Sequence, residues 1–202
     1  MTLYEHAMLG IDGALAFGLH RRHGWPNIAL AGMAATLPDL DGLTILAGFQ
    51  CYAHAHRVWM HNLLVAGIIA AVVAIILART GALITARNRL VRWSLLASPS
   101  TTVESPAQLS VWVPVAIVAA YTHLLGDIFF SSGIALGAWG VPLLWPFSTT
   151  EYLHPSVPWG DVGATVIFAA GMFAMIRWPT RTQVIAAITL LAVASYIAWH
   201  TG

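Results

Sequence analysis

The chain has 202 residues, 58% of them hydrophobic and only 8% charged, with a mean hydropathy of +0.76. Those values exclude an ordinary soluble domain and leave room for about four to six membrane-spanning helices at roughly 20 residues each. The net charge of +1 hides nine cations that are all arginine, scattered without a basic stripe, so a nucleic-acid-binding surface is excluded as well. Cys51, the single cysteine, allows no intrachain disulfide. No cleavable signal peptide is expected, because residues 7–19 are interrupted by Asp12 and no basic segment precedes them.

In chain order, residues 5–20 and 26–37 predict two short helices rich in glycine and alanine, joined by Arg21 to Pro26. Gly10, Gly13, Gly18 and Gly32 suit close helix packing. Residues 58–78 form the clearest span, and residues 111–131 form another despite Pro114, His123 and Asp127. Residues 79–110 are expected to be non-helical, with Arg79, Arg87, Arg89 and Arg92 ahead of a flexible loop from Ser98 to Pro106. In residues 132–160 tryptophans alternate with prolines, as in an interfacial loop at headgroup level. Two last spans, 162–178 and 183–199, read as lipid-facing scaffold. The expected fold is all-α: one polytopic bundle of about six helices over residues 1–202, with a motif-bearing core to residue 155 and scaffold helices over 160–200.

If six helices alternate across the membrane, Arg21, Arg22, Arg79, Arg87, Arg89, Arg92, Arg177 and Arg181 share one side, which the positive-inside rule makes cytoplasmic. Arg57 is the exception. His6, Asp39, Asp41, His56, His61, His123 and Asp127 then all fall on the opposite side, as one site would require.

Ionisable groups kept in apolar stretches are functional candidates. His123 and Asp127 are four residues apart, about 40° around a helix, and can offer an imidazole and a carboxylate to one metal. An unpaired carboxylate at that depth costs roughly 2.5–3.5 kcal/mol, which a bound cation would offset. Pro38-Asp39-Leu40-Asp41-Gly42 reads as a helix-ending turn that offers Asp39 as a ligand. Asp41 would be a second ligand, a base or a carboxylate orienting a histidine. Arg57 and His61 share a face at four-residue spacing, and either His56 or His61 could be a ligand if the third helix begins at Arg57. Arg57, alone on its side, suits an anionic substrate. His54 reads as a loop histidine, and His154 as a late ligand or acid in the aromatic segment. His20, His23 and His200 read as interfacial, and Glu5 as a carboxylate at the rim. Asp12 would support His6 or bond a neighbouring helix.

Together these residues resemble the YdjM-like, LexA-regulated, membrane-bound metal-dependent hydrolases. The shared pattern is an N-terminal histidine (His6), a Pro-Asp-x-Asp turn (Pro38 to Asp41), a His-Arg-x-x-x-His segment (His56 to His61), a His-x-x-x-Asp helix (His123 to Asp127) and a Pro-Phe-Ser stretch (Pro146 to Ser148). They occur in order over residues 1 to about 150. Val58, Met60 and Asn62 stand where the family commonly has Gly, Thr and Ser. The ligand order is also similar to that of bacterial zinc-dependent phospholipase C, which tilts the reading towards phosphoesters. The resemblance implies a bacterial inner-membrane enzyme.

The expected function is a metal-dependent hydrolase at the non-cytoplasmic interface, acting on a lipid or lipid-linked phosphoester. His6, Asp39, His61, His123 and Asp127 would hold one or two ions, Zn²⁺ before Mn²⁺ or Fe²⁺. Asp41, His56 and Arg57 would serve catalysis. Trp145, Phe147, Tyr152 and His154 would contact substrate at a lipid-facing entrance. The alternatives are an amide- or ester-cleaving lipid hydrolase with the same metal site, and a transporter passing a metal ion or coupled to protons.

Overall fold

A computed structural model of the chain describes residues 1–93, 108–130, 139–154 and 156–201. The expected loop from Ser98 to Pro106, and the part of the aromatic segment before Trp139, lie outside the described residues. Among the described residues the fold is all-α, with one isolated antiparallel bridge between Val141 and Tyr152. The helices are α1 (Leu3–Ala16), α2 (Leu19–Arg22), α3 (Pro26–Ala34), a 3-10 helix (Pro38–Ala47), α4 (Phe49–Ala55), α5 (Leu63–Thr80), α6 (Ala82–Arg92), α7 (Leu109–Phe129), α8 (Val162–Arg177), a short 3-10 helix (Pro179–Arg181) and α9 (Thr182–Thr201).

Helices α5, α7 and α9 are long and apolar enough to cross a membrane. The pair Pro26–Ala34 and Pro38–Ala47, bent by 48°, gives a fourth candidate span, and α8 is a shorter apolar helix. The caps explain several boundaries. Thr2 and Glu5 form a reciprocal capping box at the start of α1. Asn62 Oδ1 accepts the Val65 amide at the start of α5, and Gly81 ends that helix in the left-handed conformation.

Small residues bring the helices together. Gly10 of α1 lies against Ala31 and Ala35 at the far end of α3, so the two run antiparallel; a Cβ there would sit 2.5 Å from the Ala31 carbonyl oxygen. Ala66, Ala70 and Ala74 of α5 are buried with Ala116, Ala119 and Ala120 of α7 in the same core. The Tyr121 hydroxyl donates to the Leu63 carbonyl at 3.0 Å, pinning the start of α5 to the late turns of α7. Helices α8 and α9 pack on α1 through Met8, Ala164, Phe168 and Val193. The starts of α1 and α5 and the ends of α3 and α7 therefore meet at one end of the bundle. At the other end, Arg21 reaches the Thr180 carbonyl between α8 and α9.

Two expectations change. Residues 82–92, expected to be non-helical, form α6, where Leu83, Ile84, Leu90 and Val91 recur at helical spacing between arginines. Residues 57–61, expected to open the third helix, are a turn and bends before the Asn62 cap. The face-sharing argument for Arg57 and His61 therefore fails, because Arg57 has φ +64°, a left-handed backbone that starts no helix.

Candidate metal centre

Asp39, His61, His123 and Asp127 come from three segments distant in sequence and meet at the convergent end of the bundle. Their ligand atoms all lie within 4.8 Å of one another. His61 Nε2 is 3.1 Å from His123 Nε2, 3.3 Å from Asp127 Oδ2 and 3.6 Å from Asp39 Oδ1. His123 Nε2 is 3.5 Å from Asp127 Oδ2 and 3.6 Å from Asp39 Oδ1. Nitrogen and oxygen ligands held tetrahedrally at about 2.0–2.1 Å from zinc would be about 3.3–3.4 Å apart. The donor set fits a small divalent cation.

The hydrogen bonds fix which nitrogen faces inward. The Ala35 carbonyl can only accept, so His123 Nδ1–H donates to it at 2.8 Å and leaves Nε2 for a ligand. His61 Nδ1 bonds Asp41 Oδ2 at 3.0 Å, which likewise turns its Nε2 to the cluster. Two imidazole nitrogens facing each other at 3.1 Å need a proton or a cation between them. Burial opposes charge on His61, but hydrogen bonds with Asp127, Asp39 and Asp41 outweigh it and hold its pKa well above the usual imidazole value.

Asp127 divides its two oxygens. Oδ2 faces His61 and His123, while Oδ1 takes the Met1 amine at 2.8 Å and His6 Nε2 at 3.1 Å, with Arg57 Nη2 at 3.7 Å. His6, expected as a ligand, therefore stands one layer out: it stacks on His123 with centroids 3.5 Å apart and lies outside the four-donor group. Its buried Nδ1 has no hydrogen-bond partner among the described residues.

Asp41 stands behind the histidines. It receives His56 Nδ1 at 2.7 Å on Oδ1, and His61 Nδ1 with the Met60 amide on Oδ2. Asp41, His56 and His61 also form a second group whose ligand atoms lie within 4.8 Å of one another, so the geometry suits both a carboxylate orienting two imidazoles and a ligand of a second ion. His56 is partly exposed and stacks on Tyr52, with Trp139 at its edge. Arg57 is buried; Nη1 donates to the Trp139 carbonyl at 2.6 Å and the guanidinium lies 5.4 Å from that indole ring. Its left-handed backbone costs about 1–3 kcal/mol, the kind of strain kept where a side chain must be aimed.

The aromatic segment splits. Trp139 reaches the site, whereas Trp145 and Phe147 lie on the turn beyond Val141, with Phe147 84% exposed. Tyr152 pairs with Val141 through its backbone. Among the described contacts, none of these three joins the rings around the ligands. His154 donates its amide to the Ile128 carbonyl and its Nδ1 lies 2.7 Å from Ser156 Oγ. Ala35, Tyr52 and the Trp139 carbonyl were not foreseen as site groups; only Tyr52, four residues before His56, had a spacing that could have suggested it. His54 sits on α4 rather than in a loop and bonds Gln50. Glu5, expected at the rim, is buried in the capping box and accepts from Thr165. Asp12 has neither expected partner among the described residues, where both its buried oxygens are unbonded.

Apolar helices with two imidazoles and two carboxylates gathered at one end define a polytopic membrane protein with a candidate metal centre. The chain belongs to the YdjM inner membrane protein family, whose model matches residues 1–201. That match extends through α8 and α9, beyond every motif read from the sequence. Comparison with curated proteins and with solved structures gives no match.

Proposed function

We propose that this protein is a membrane-embedded hydrolase that cleaves a lipid or lipid-linked phosphoester, with Asp39, His61, His123 and Asp127 holding one divalent cation. The observation that carries the reading is the pair of facing Nε2 atoms of His61 and His123, each turned inward by a bond at its Nδ1, beside two carboxylates. Such a mixed donor set suits Zn²⁺, with Mn²⁺ or Fe²⁺ as alternatives. When bound, the ion supplies Lewis acidity and makes water a nucleophile at neutral pH.

The chain's own residues do the rest. Asp39, the most exposed of the four ligands, keeps one side of the cluster open to substrate. Asp41 holds the His56 Nδ1–H, which leaves Nε2 to take and return a proton. Arg57, held by Trp139 next to Asp127, offers positive charge to an oxygen that becomes anionic in the transition state. The positive-inside rule puts the arginine-rich end in the cytoplasm and the site on the other side.

The test is a panel of phospholipids, lipid pyrophosphates and ceramides, offered to the purified protein with and without chelator. Metal-dependent phosphoester cleavage is expected, abolished in Asp39→Ala and reduced about 10²–10⁴-fold in His56→Ala with metal retained. Activity indifferent to Asp39→Ala refutes the roles, and cleavage of ceramide alone moves the chemistry to amides. One observation favours cation transit instead: Asp12, a buried carboxylate in the body of α1 with no partner among the described residues. Metal flux into proteoliposomes that stops in Asp12→Asn would select that reading.

A further inference from the structure

Between α1, α7 and α9 lies a cavity of about 470 Å³, within the roughly 300–1,000 Å³ of ligand sites. Its walls are hydrocarbon, among them Leu9 of α1, Leu125 and Phe129 of α7, and Val193 and Ile197 of α9. Its polar lining side chains are His154 and Thr201. Two of the three helices that frame it are long enough and apolar enough to span a membrane.

The cavity differs from an ordinary lipid-facing furrow in what lies behind one wall. Gly126 lines it and precedes the ligand Asp127. A Cβ on Gly126 would lie 2.6 Å from Met1 Sδ and 3.5 Å from the His6 ring, so Gly126 packs directly on the layer behind the ligands. Met1 lines the same cavity. His154, of the four residues expected to contact substrate, is the one in the lining.

We propose that this cavity seats one hydrocarbon chain of a membrane lipid, whose head group then lies at the end of the bundle that carries the Asp39–His61–His123–Asp127 cluster. The proposal rests on the lipid-hydrolase reading for the purpose of the seat, and it moves the chain-binding surface from Trp145, Phe147 and Tyr152 to the α7–α9 groove. The match of apolar walls, volume and adjacency selects an alkyl chain. A helix from a second copy of this chain is the competing occupant.

The test uses the full chain in nanodiscs containing a phospholipid with a photoactivatable diazirine near the end of one acyl chain. Cross-links are expected on Leu9, Phe129 and Ile197. Ala194→Trp, which fills the groove from α9, should lower their yield by about tenfold, the weight of two buried methylenes, while metal content stays unchanged. Ala198→Phe is the milder variant should the tryptophan disturb folding. Labels spread evenly over α5, α8 and α9, a yield indifferent to both variants, or protein–protein cross-links at these positions would overturn the seat. The two readings fail separately. Localised labelling without any hydrolysis retains the seat and removes the enzyme, whereas hydrolysis with unlocalised labelling does the reverse.

Discussion

Asp41 is the residue on which the geometry of the cluster turns, although it faces none of the inner nitrogens. Its two oxygens hold the Nδ1 atoms of His56 and His61 at 2.7 and 3.0 Å. An asparagine has one acceptor oxygen, and its amide would point donors at an imidazole N–H. Asp41→Asn is therefore expected to weaken metal affinity about 10–100-fold, measured by competition with a chromophoric chelator. A retained affinity would contradict the orienting role. His61 supplies a pH test. Its folded pKa is raised in the metal-free protein, so its contribution to stability is complete below the unfolded value of about 6.5 and is lost as pH rises through the folded value. Chelator-treated protein should melt at lower temperature as pH rises through that window, and metal uptake in it should release protons. The ligand types and their order were legible because charged groups are rare in this chain. The Ala35 carbonyl was not, since a backbone acceptor leaves no mark in the sequence.

Helices α5 and α7 pack along their length and hold His61 near the pair His123 and Asp127, and one of their closest approaches is Gly67 against Tyr121. A Cβ on Gly67 would lie 2.7 Å from the Tyr121 hydroxyl but 3.5 Å from its ring carbon. Gly67→Ala should therefore lower the thermal stability and metal occupancy of the detergent-solubilised protein although it touches no ligand. Adding Tyr121→Phe removes the clash and should restore much of both, leaving the loss of a single hydrogen bond of about 0.5–1.5 kcal/mol. Additive losses in the double variant would show that this contact does not couple the helices to the site. Unbroken apolar runs made the spans legible. The onset of α5 was missed by five residues because Val58, Trp59 and Met60 extend the apolar run, yet the chain bends there and delivers His61 ahead of the Asn62 cap. Asn62, where the family pattern has Ser, accepts the Val65 amide as a serine cap would. Helix α6 was missed because its arginines hide a short amphipathic pattern.

Over the whole molecule, antiparallel packing carries the starts of α1 and α5 and the ends of α3 and α7 to one end, with Arg21, Arg79, Arg177 and Arg181 at helix ends away from it. The arginine pattern in the sequence anticipated that sorting, but not the cavity between α7 and α9, which exists only once three separated helices pack. Reporter fusions at residues 90 and 150 should fall on opposite sides of the membrane, and the same side for both would undo the topology. The central claim is the cation at the four-donor cluster, and elemental analysis of the purified protein tests it most directly. One tightly held divalent ion per chain is expected, absent from a His123→Ala/Asp127→Ala variant that keeps its helical circular dichroism. Wild-type protein without an ion, or a double variant that still holds one, would contradict it.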